Sequence, residues 1–281
     1  MPKKTLRKIK HRLKNTFSMK IPVKNPILYG ELLKGRCALI TGGTSGIGLA
    51  IAEAFLRNKA DVVITGRNQQ KIDDAVDYLR KRFPEQKILG IELDNCDISK
   101  MKETFQKVLF YGRIDILVNN AGVINKTFFG NTEETDFDLV IETDLKGPYF
   151  LSELFADYLI RDKIEGNILN ISSSSAIRPA SNSYGLAKWG LRGMTLGLAK
   201  HLSGRGIVVN AIAPGPTATT MLLSGDEKSI SRPSSPSERY ATPEEIANLS
   251  VVLASDLGRM VNGDTLYVTG GCGLLTFDDW E

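Results

Sequence analysis

A short apolar run, Cys37-Ala38-Leu39-Ile40, passes into Thr41-Gly42-Gly43-Thr44-Ser45-Gly46-Ile47-Gly48 and then into an amphipathic stretch. Glycines 42, 46 and 48 allow a tight turn and let the backbone approach a ligand closely. A helix that starts there aims unpaired N–H groups and a partial positive charge at whatever the loop holds, which suits a phosphate. Strand, glycine loop and helix in this order open a βαβ unit of the dinucleotide-binding kind, so one motif constrains both fold and ligand.

The rest of the chain repeats the alternation. Short β-branched runs predict strands near Cys37–Thr41, Val62–Thr65, Ile88–Leu93, Ile114–Asn119, Asn167–Ile171, Ile207–Ile212 and Thr265–Val268. Between them, apolar residues at helical spacing predict helices near Gly46–Asn58, Gln69–Phe83, Lys100–Tyr111, Phe137–Ile160, Tyr184–Ser203 and Pro243–Ala254. The fold class is therefore α/β: a Rossmann-type, doubly wound, seven-stranded parallel sheet with helices on both faces. It forms one domain over residues 35–281, preceded by a basic extension over residues 1–34. A Ser-, Pro- and charge-rich segment at about 219–240 follows the sixth strand, at the sheet edge where such folds bind ligands, and reads as a lid.

Composition narrows the function classes. The histidines are His11 and His201, too few for a His-rich zinc site or a Ser-His-Asp triad, so no metal is expected. Cys37, Cys96 and Cys272 are far apart and odd in number, which points to a reducing, cytoplasmic compartment. No stretch approaches the roughly 20 apolar residues of a membrane-spanning helix.

Three further motifs follow the glycine loop in order: Asn119-Asn120-Ala121-Gly122 after the fourth strand, a serine run at the end of the fifth, and Tyr184-x-x-x-Lys188. Over residue 36 to about 270 this series resembles the short-chain dehydrogenase/reductase family, in its single-domain branch, similar to 3-oxoacyl-carrier-protein reductases. The resemblance implies an oxidoreductase that interconverts a carbonyl and a secondary alcohol, with a nicotinamide cofactor, a small-molecule substrate and a homo-oligomeric assembly, dimer or tetramer. It also implies cofactor contacts from Gly42, Thr44, Ser45, Gly46, Ile47 and Gly48, from Asp97 at the adenine, and from Asn119, Ala121 and Gly122 near the ribose. Pro214, Gly215, Thr217 and Thr219 match the family's PGxxxT turn, which holds the carboxamide or phosphates. An NAD-binding unit usually ends its second strand on an acid. Here that place is Gly66, followed by Arg67, so a guanidinium is available for a 2′-phosphate and NADP(H) is preferred over NAD(H).

Tyr184 and Lys188 are four residues apart in a helical stretch and share one face. An ammonium within a few ångströms of a phenol stabilises the phenolate, which fits a tyrosine for general acid–base work on a carbonyl oxygen. In the family the lysine also bonds the nicotinamide ribose. A serine hydroxyl would polarise the same oxygen. Alignment from the strand gives Ser173, with Ser172 and Ser174 as alternatives, because the connection to Tyr184 is two residues shorter than the family's usual one. The family's fourth catalytic position, commonly asparagine, is Asp144 here, whose charge would favour a protonated Lys188.

Residues 1–30 hold nine Lys/Arg and no acid, leaving 27 basic against 32 acidic residues elsewhere, so the +4 net charge belongs to the tail. Leu6, Ile9, Leu13 and Phe17 recur at helical spacing among these cations. Three readings stay open: peripheral membrane contact through residues 1–20, an arm packing on another subunit, or a solvated tail. No nucleic acid is expected, because the folded part is net acidic. The alternative function is a cofactor-binding regulatory or scaffolding protein that works through this tail.

Overall fold

The computed structural model describes residues 30–124, 127, 129–219 and 230–273. The tail motif Leu6–Phe17 lies outside the described residues, as does the first half of the expected lid, residues 220–229.

Seven strands, β1 (Cys37–Ile40), β2 (Asp61–Gly66), β3 (Ile88–Glu92), β4 (Ile116–Asn119), β5 (Gly166–Ile171), β6 (Ile207–Pro214) and β7 (Thr265–Val268), form one sheet in the order β3-β2-β1-β4-β5-β6-β7. Every neighbouring pair is parallel. The helices are α1 (Gly46–Arg57), α2 (Gln69–Arg82), α3 (Ile98–Phe110), α4 (Glu134–Ile141), α5 (Gly147–Asp162), α6 (Ser183–Leu202) and α7 (Pro243–Ala254). The strand order reverses between β1 and β4, and a crevice opens at that switch beyond the carboxyl ends of the strands.

The two-residue period of the strands feeds two cores, one on each face. Ala38 and Ile40 of β1, with Ile116 and Val118 of β4, pack under α1, α2 and α7 through Ile51, Phe55, Ile72, Val76, Ile246 and Val251. Leu39 and Leu117, between them in sequence, point the other way to Phe105, Leu151, Phe155, Leu159 and Leu202 of α3, α5 and α6. Burial on both faces is why these strands read as continuous apolar runs. Phe105, Phe155 and Tyr158 meet largely edge-on in the second core, and the Tyr158 hydroxyl accepts from the Ile114 N–H at 3.3 Å. Leu33, at the end of the basic extension, is buried in the first core and its N–H donates to the Asn58 carbonyl.

Two segments differ from the sequence expectation. The single helix expected over Phe137–Ile160 is two helices joined by a π-helical turn, Glu142–Lys146. The extra residue of a π turn shifts the helical phase, and here it buries Thr143 and Asp144 side by side. The turn is fixed from outside: the Asn95 amide bonds the Thr143 carbonyl at 3.4 Å, and Leu145 packs where a side chain at Gly190 would have to go.

In the expected lid, residues 230–240 are folded back rather than structureless. Ser231 bridges Arg239, the Ser235 hydroxyl donates to the Arg232 carbonyl, and Arg239 grips Glu245 bidentately at 2.8 and 2.6 Å. Glu245 also closes a capping box with Thr242 at the start of α7.

Candidate active site

A cleft of about 880 Å³ runs along the carboxyl edge of the sheet from Arg67 to Tyr184. Its near wall is the glycine loop. Gly42 and Gly46 have φ of +64° and +55°, a left-handed backbone that favours glycine. A Cβ on Gly42 would sit 2.9 Å from the Cα of Ala121, so the loop packs on the Asn119–Gly122 turn only because that carbon is absent. The Thr41 hydroxyl locks the same contact by accepting from the N–H groups of Asn120 and Ala121, both at 3.0 Å.

Helices α2, α3, α6 and α7 are each capped by a side chain, from Asn68, Asp97, Asn182 and Thr242. Helix α1 is not: the side chain of Ser45 makes no capping bond. Its first turn faces the cleft with Thr44, Ser45, Gly46 and Ile47 in the wall. A pyrophosphate fits this position, as the group that would satisfy the open turn.

Opposite, Pro214, Gly215, Thr217 and Thr219 line the cleft after β6, with the Thr219 methyl over Gly46. Arg67 lies at the far end, joined by Gly66, Asn68 and Lys71. Ala121 and Gly122 also line the wall.

Three expected cofactor residues lie elsewhere. Asn119 is buried and donates to Ser152 at 2.9 Å and to Asn170 at 2.8 Å, tying β4 to β5 and α5; its neighbour Asn120 reaches the cleft. Asp97 caps α3 by accepting from the Lys100 N–H and binds the Ser99 hydroxyl and the Lys100 ammonium, which hold its carboxyl below the usual range. The cleft wall there is Leu93, Asp94 and Asn95, so the acid at this end is Asp94, three residues earlier. The signal was available: β3 ends at Glu92, and the residues just past a strand end line the crevice. Gly48 lies behind the wall, where a side chain would collide with the Gly42 carbonyl and the Asn120 amide.

At the near end stand Tyr184, Lys188, Asp144 and the run Ser172–Ser175. Asn182 caps α6, so Tyr184 sits in its first turn and Lys188 one turn on. The Lys188 Nζ is 5.5 Å from the Tyr184 ring centre, 3.1 Å from an Asp144 carboxylate oxygen and 3.2 Å from the Ile171 carbonyl oxygen. Both side chains of the ion pair are buried, at 5% and 0% exposure. Burial pushes the ammonium toward neutrality, but Asp144 first and Tyr184 second outweigh it, and Lys188 is held above the ordinary lysine value. The other Asp144 oxygen accepts from the Val123 N–H at 2.8 Å. Gly122 makes room for the carboxylate, since a Cβ there would lie 2.9 Å from it.

Among the serines, Ser172 turns its hydroxyl to the Lys188 carbonyl of α6 at 3.4 Å. Ser173 caps a 3₁₀ turn, Ser174–Ile177, by accepting from the Ser175 N–H at 3.1 Å, which leaves its proton to donate. No cluster of metal-ligating side chains exists among the described residues. No helix among them is long and apolar enough to cross a membrane.

A family model described as enoyl-(acyl carrier protein) reductase matches residues 42–273. The chain is 35% identical over 245 residues to a 3alpha-hydroxysteroid dehydrogenase of Mediterraneibacter gnavus, covering 85% of this chain and 97% of that one. It is 36% identical over 244 residues to a 3-oxoacyl-[acyl-carrier-protein] reductase of Thermotoga maritima, covering 85% and 98%. A solved structure described as a putative NAD(P) dependent gluconate 5-dehydrogenase from Beutenbergia cavernae, with bound NADP, superposes with a TM-score of 0.79 at 31% identity, covering 87% of this chain and 98% of that one.

Proposed function

The chain belongs to the short-chain dehydrogenase/reductase family, and we propose that it is an NADP(H)-dependent reductase that interconverts a small ketone and a secondary alcohol. The observation that carries this reading is the buried Asp144–Lys188 ion pair directly beneath Tyr184 in the cleft. A buried pair costs desolvation and is weak evidence for stability alone. Its position beside a tyrosine at the end of a dinucleotide-shaped cleft gives it a purpose.

When bound, the nicotinamide supplies or accepts the hydride. The Tyr184 hydroxyl donates its proton to the carbonyl oxygen, or removes the proton from the alcohol in reverse. Lys188, kept charged by Asp144, stabilises the phenolate that Tyr184 becomes. Ser173 donates a hydrogen bond to the same substrate oxygen and steadies the charge that gathers on it. Of Ser172, Ser173 and Ser174, the second is favoured, since the first is turned toward the helix backbone. Arg67 and Lys71 at the far end, with Gly66 in place of an acid, support a 2′-phosphate on the cofactor.

We read the assembly as a homo-oligomer. Leu186, Trp189 and Leu196 expose 47%, 42% and 64% along one stripe of α6, and Gly193 in that stripe has open space around it.

The purified protein is expected to oxidise NADPH with at least one member of a panel of ketones spanning acyl thioesters, sugars, steroids and small keto acids. NADPH binding without turnover on the whole panel would sink the reading. Gly66→Asp is expected to lower the kcat/KM ratio of NADPH to NADH by about tenfold or more, because a carboxylate beside a 2′-phosphate repels it. The new Cβ would lie 3.0 Å from the Thr44 methyl, a contact that a small shift relieves. An unchanged ratio would refute the cofactor assignment.

A further inference from the structure

We propose that Asn95 is a positioning residue for the reductase site: its side-chain amide replaces a backbone donor that the chain lacks at Pro148, and so fixes the turn that carries Asp144 to Lys188. This rests on the reductase reading above.

The helix itself lacks the donor. In the π turn Glu142–Lys146 the Gly147 N–H donates to the Glu142 carbonyl, five residues back. The Thr143 carbonyl would take the next N–H in the same pattern, that of residue 148, and that residue is proline. Thr143 is buried, and a buried carbonyl without a partner is costly. The amide of Asn95, also buried, donates to it at 3.4 Å.

Asn95 comes from the loop after β3. There the Asp94 carboxylate accepts from the Cys96 N–H at 3.0 Å, and the Asp97 N–H donates to the Asp94 carbonyl at 3.1 Å. Two consecutive residues of this loop fasten the turn before and after Asp144. The Cys96 thiol lies 3.2 Å from the Thr143 hydroxyl. The Asn95 carbonyl packs so closely on Gly147 that a Cβ there would sit 2.5 Å from it. Within the same turn, Leu145 packs on Gly190 of α6, two residues beyond Lys188. The turn is therefore wedged between the loop and the helix that carries the lysine.

Without the amide, the Thr143 carbonyl can recover a partner by relaxing the turn to α geometry, in which the Gly147 N–H reaches it four residues back. Each residue of an α-helix spans roughly 100°, so losing the extra one turns Asp144 away from Lys188 by a part of that angle. The titratable groups that act on Lys188 are Asp144 and Tyr184. A displaced Asp144 leaves the ammonium to its burial and to the phenol.

The test is a double-mutant cycle of Asn95→Ala and Asp144→Asn in the full-length protein. At saturating NADPH, Asn95→Ala is expected to move the alkaline limb of kcat/KM about one pH unit lower, a loss of about tenfold at a pH on that limb, while turnover on its acid side persists. In the Asp144→Asn background the same substitution should move the limb by less than about 0.3 unit, because the carboxylate that Asn95 positions is gone. An equal movement in both backgrounds overturns the proposal, and so does a limb that stays put in Asn95→Ala.

The cycle is read a second time without any ketone, as the Tm difference from wild type at neutral pH and above the ordinary lysine range. A deficit in Asn95→Ala that shrinks at the higher pH, and that loses this pH dependence in the Asp144→Asn background, supports the role of Asn95 even if no ketone is turned over, a result that counts against the reductase reading alone. A deficit of the same size at both pH values is what a purely structural asparagine would give, and it overturns the proposal. Asn95→Leu, which fills much the same volume without a donor, carries the same readings should Asn95→Ala fail to fold. Loss of the fold in both variants overturns the proposal.

Discussion

Tyr184→Phe is expected to lower kcat for ketone reduction by about 10²–10⁴, the usual contribution of a positioned general acid. The phenylalanine keeps the ring beside Lys188 and removes only the hydroxyl, so the fold and the Asp144–Lys188 pair should survive. NADPH affinity, followed by fluorescence titration, should change far less than kcat, because the glycine loop and the open first turn of α1 are untouched. Lys188→Ala removes both the charge under the phenol and the buried partner of Asp144, so it should lose activity and stability together. The contrast is the useful part. If Tyr184→Phe retained more than a tenth of wild-type turnover, another group would be delivering the proton, and the assignment of the acid would fail.

The parts of this molecule that were legible in the sequence are those governed by a period or by a glycine. Alternation in Ala38-Leu39-Ile40 and Ile116-Leu117-Val118 fixed the strands, and the two cores take their residues from that alternation. Gly42, Gly46 and Gly122 were legible because each stands where a side carbon would meet backbone or carboxylate, or where φ is positive. The π turn at Glu142–Lys146 was not legible. One extra residue in a helix leaves the apolar periodicity on either side intact, and its stabilising contacts, Asn95 with Thr143 and Leu145 with Gly190, are distant in sequence. The acid that lines the cleft past β3 escaped the sequence for a related reason. Asp94 and Asp97 are both acids just past β3, and only the capping bond from Lys100 shows which of them is occupied with a helix. The folded half of the expected lid depends on the Arg239–Glu245 fork, which composition cannot reveal.

Asp144→Asn tests the departure from the family's usual asparagine. Burial alone would push the Lys188 ammonium toward its neutral form, and Asp144 is the largest influence opposing that. With Asp144 present the lysine is held above its ordinary value, so its contribution to stability is complete below that value and is lost only as pH rises through the folded one. Without the carboxylate, desolvation dominates and the folded lysine falls below its ordinary value. The variant should then be least stable relative to wild type near neutral pH, by about 3 kcal/mol, the low end for an uncompensated buried charge because the Ile171 carbonyl remains. For a domain of this size that is roughly 5–10 °C in Tm, shrinking toward zero as pH rises above the ordinary lysine range. Activity should follow the same charge. The alkaline limb of kcat/KM should move to lower pH in Asp144→Asn, since Lys188 loses its proton earlier, while turnover on the acid side of that limb persists. An alkaline limb that stays put, with a Tm difference independent of pH, would mean that Asp144 serves only to hold the Val123 N–H and has no hold on the charge of Lys188.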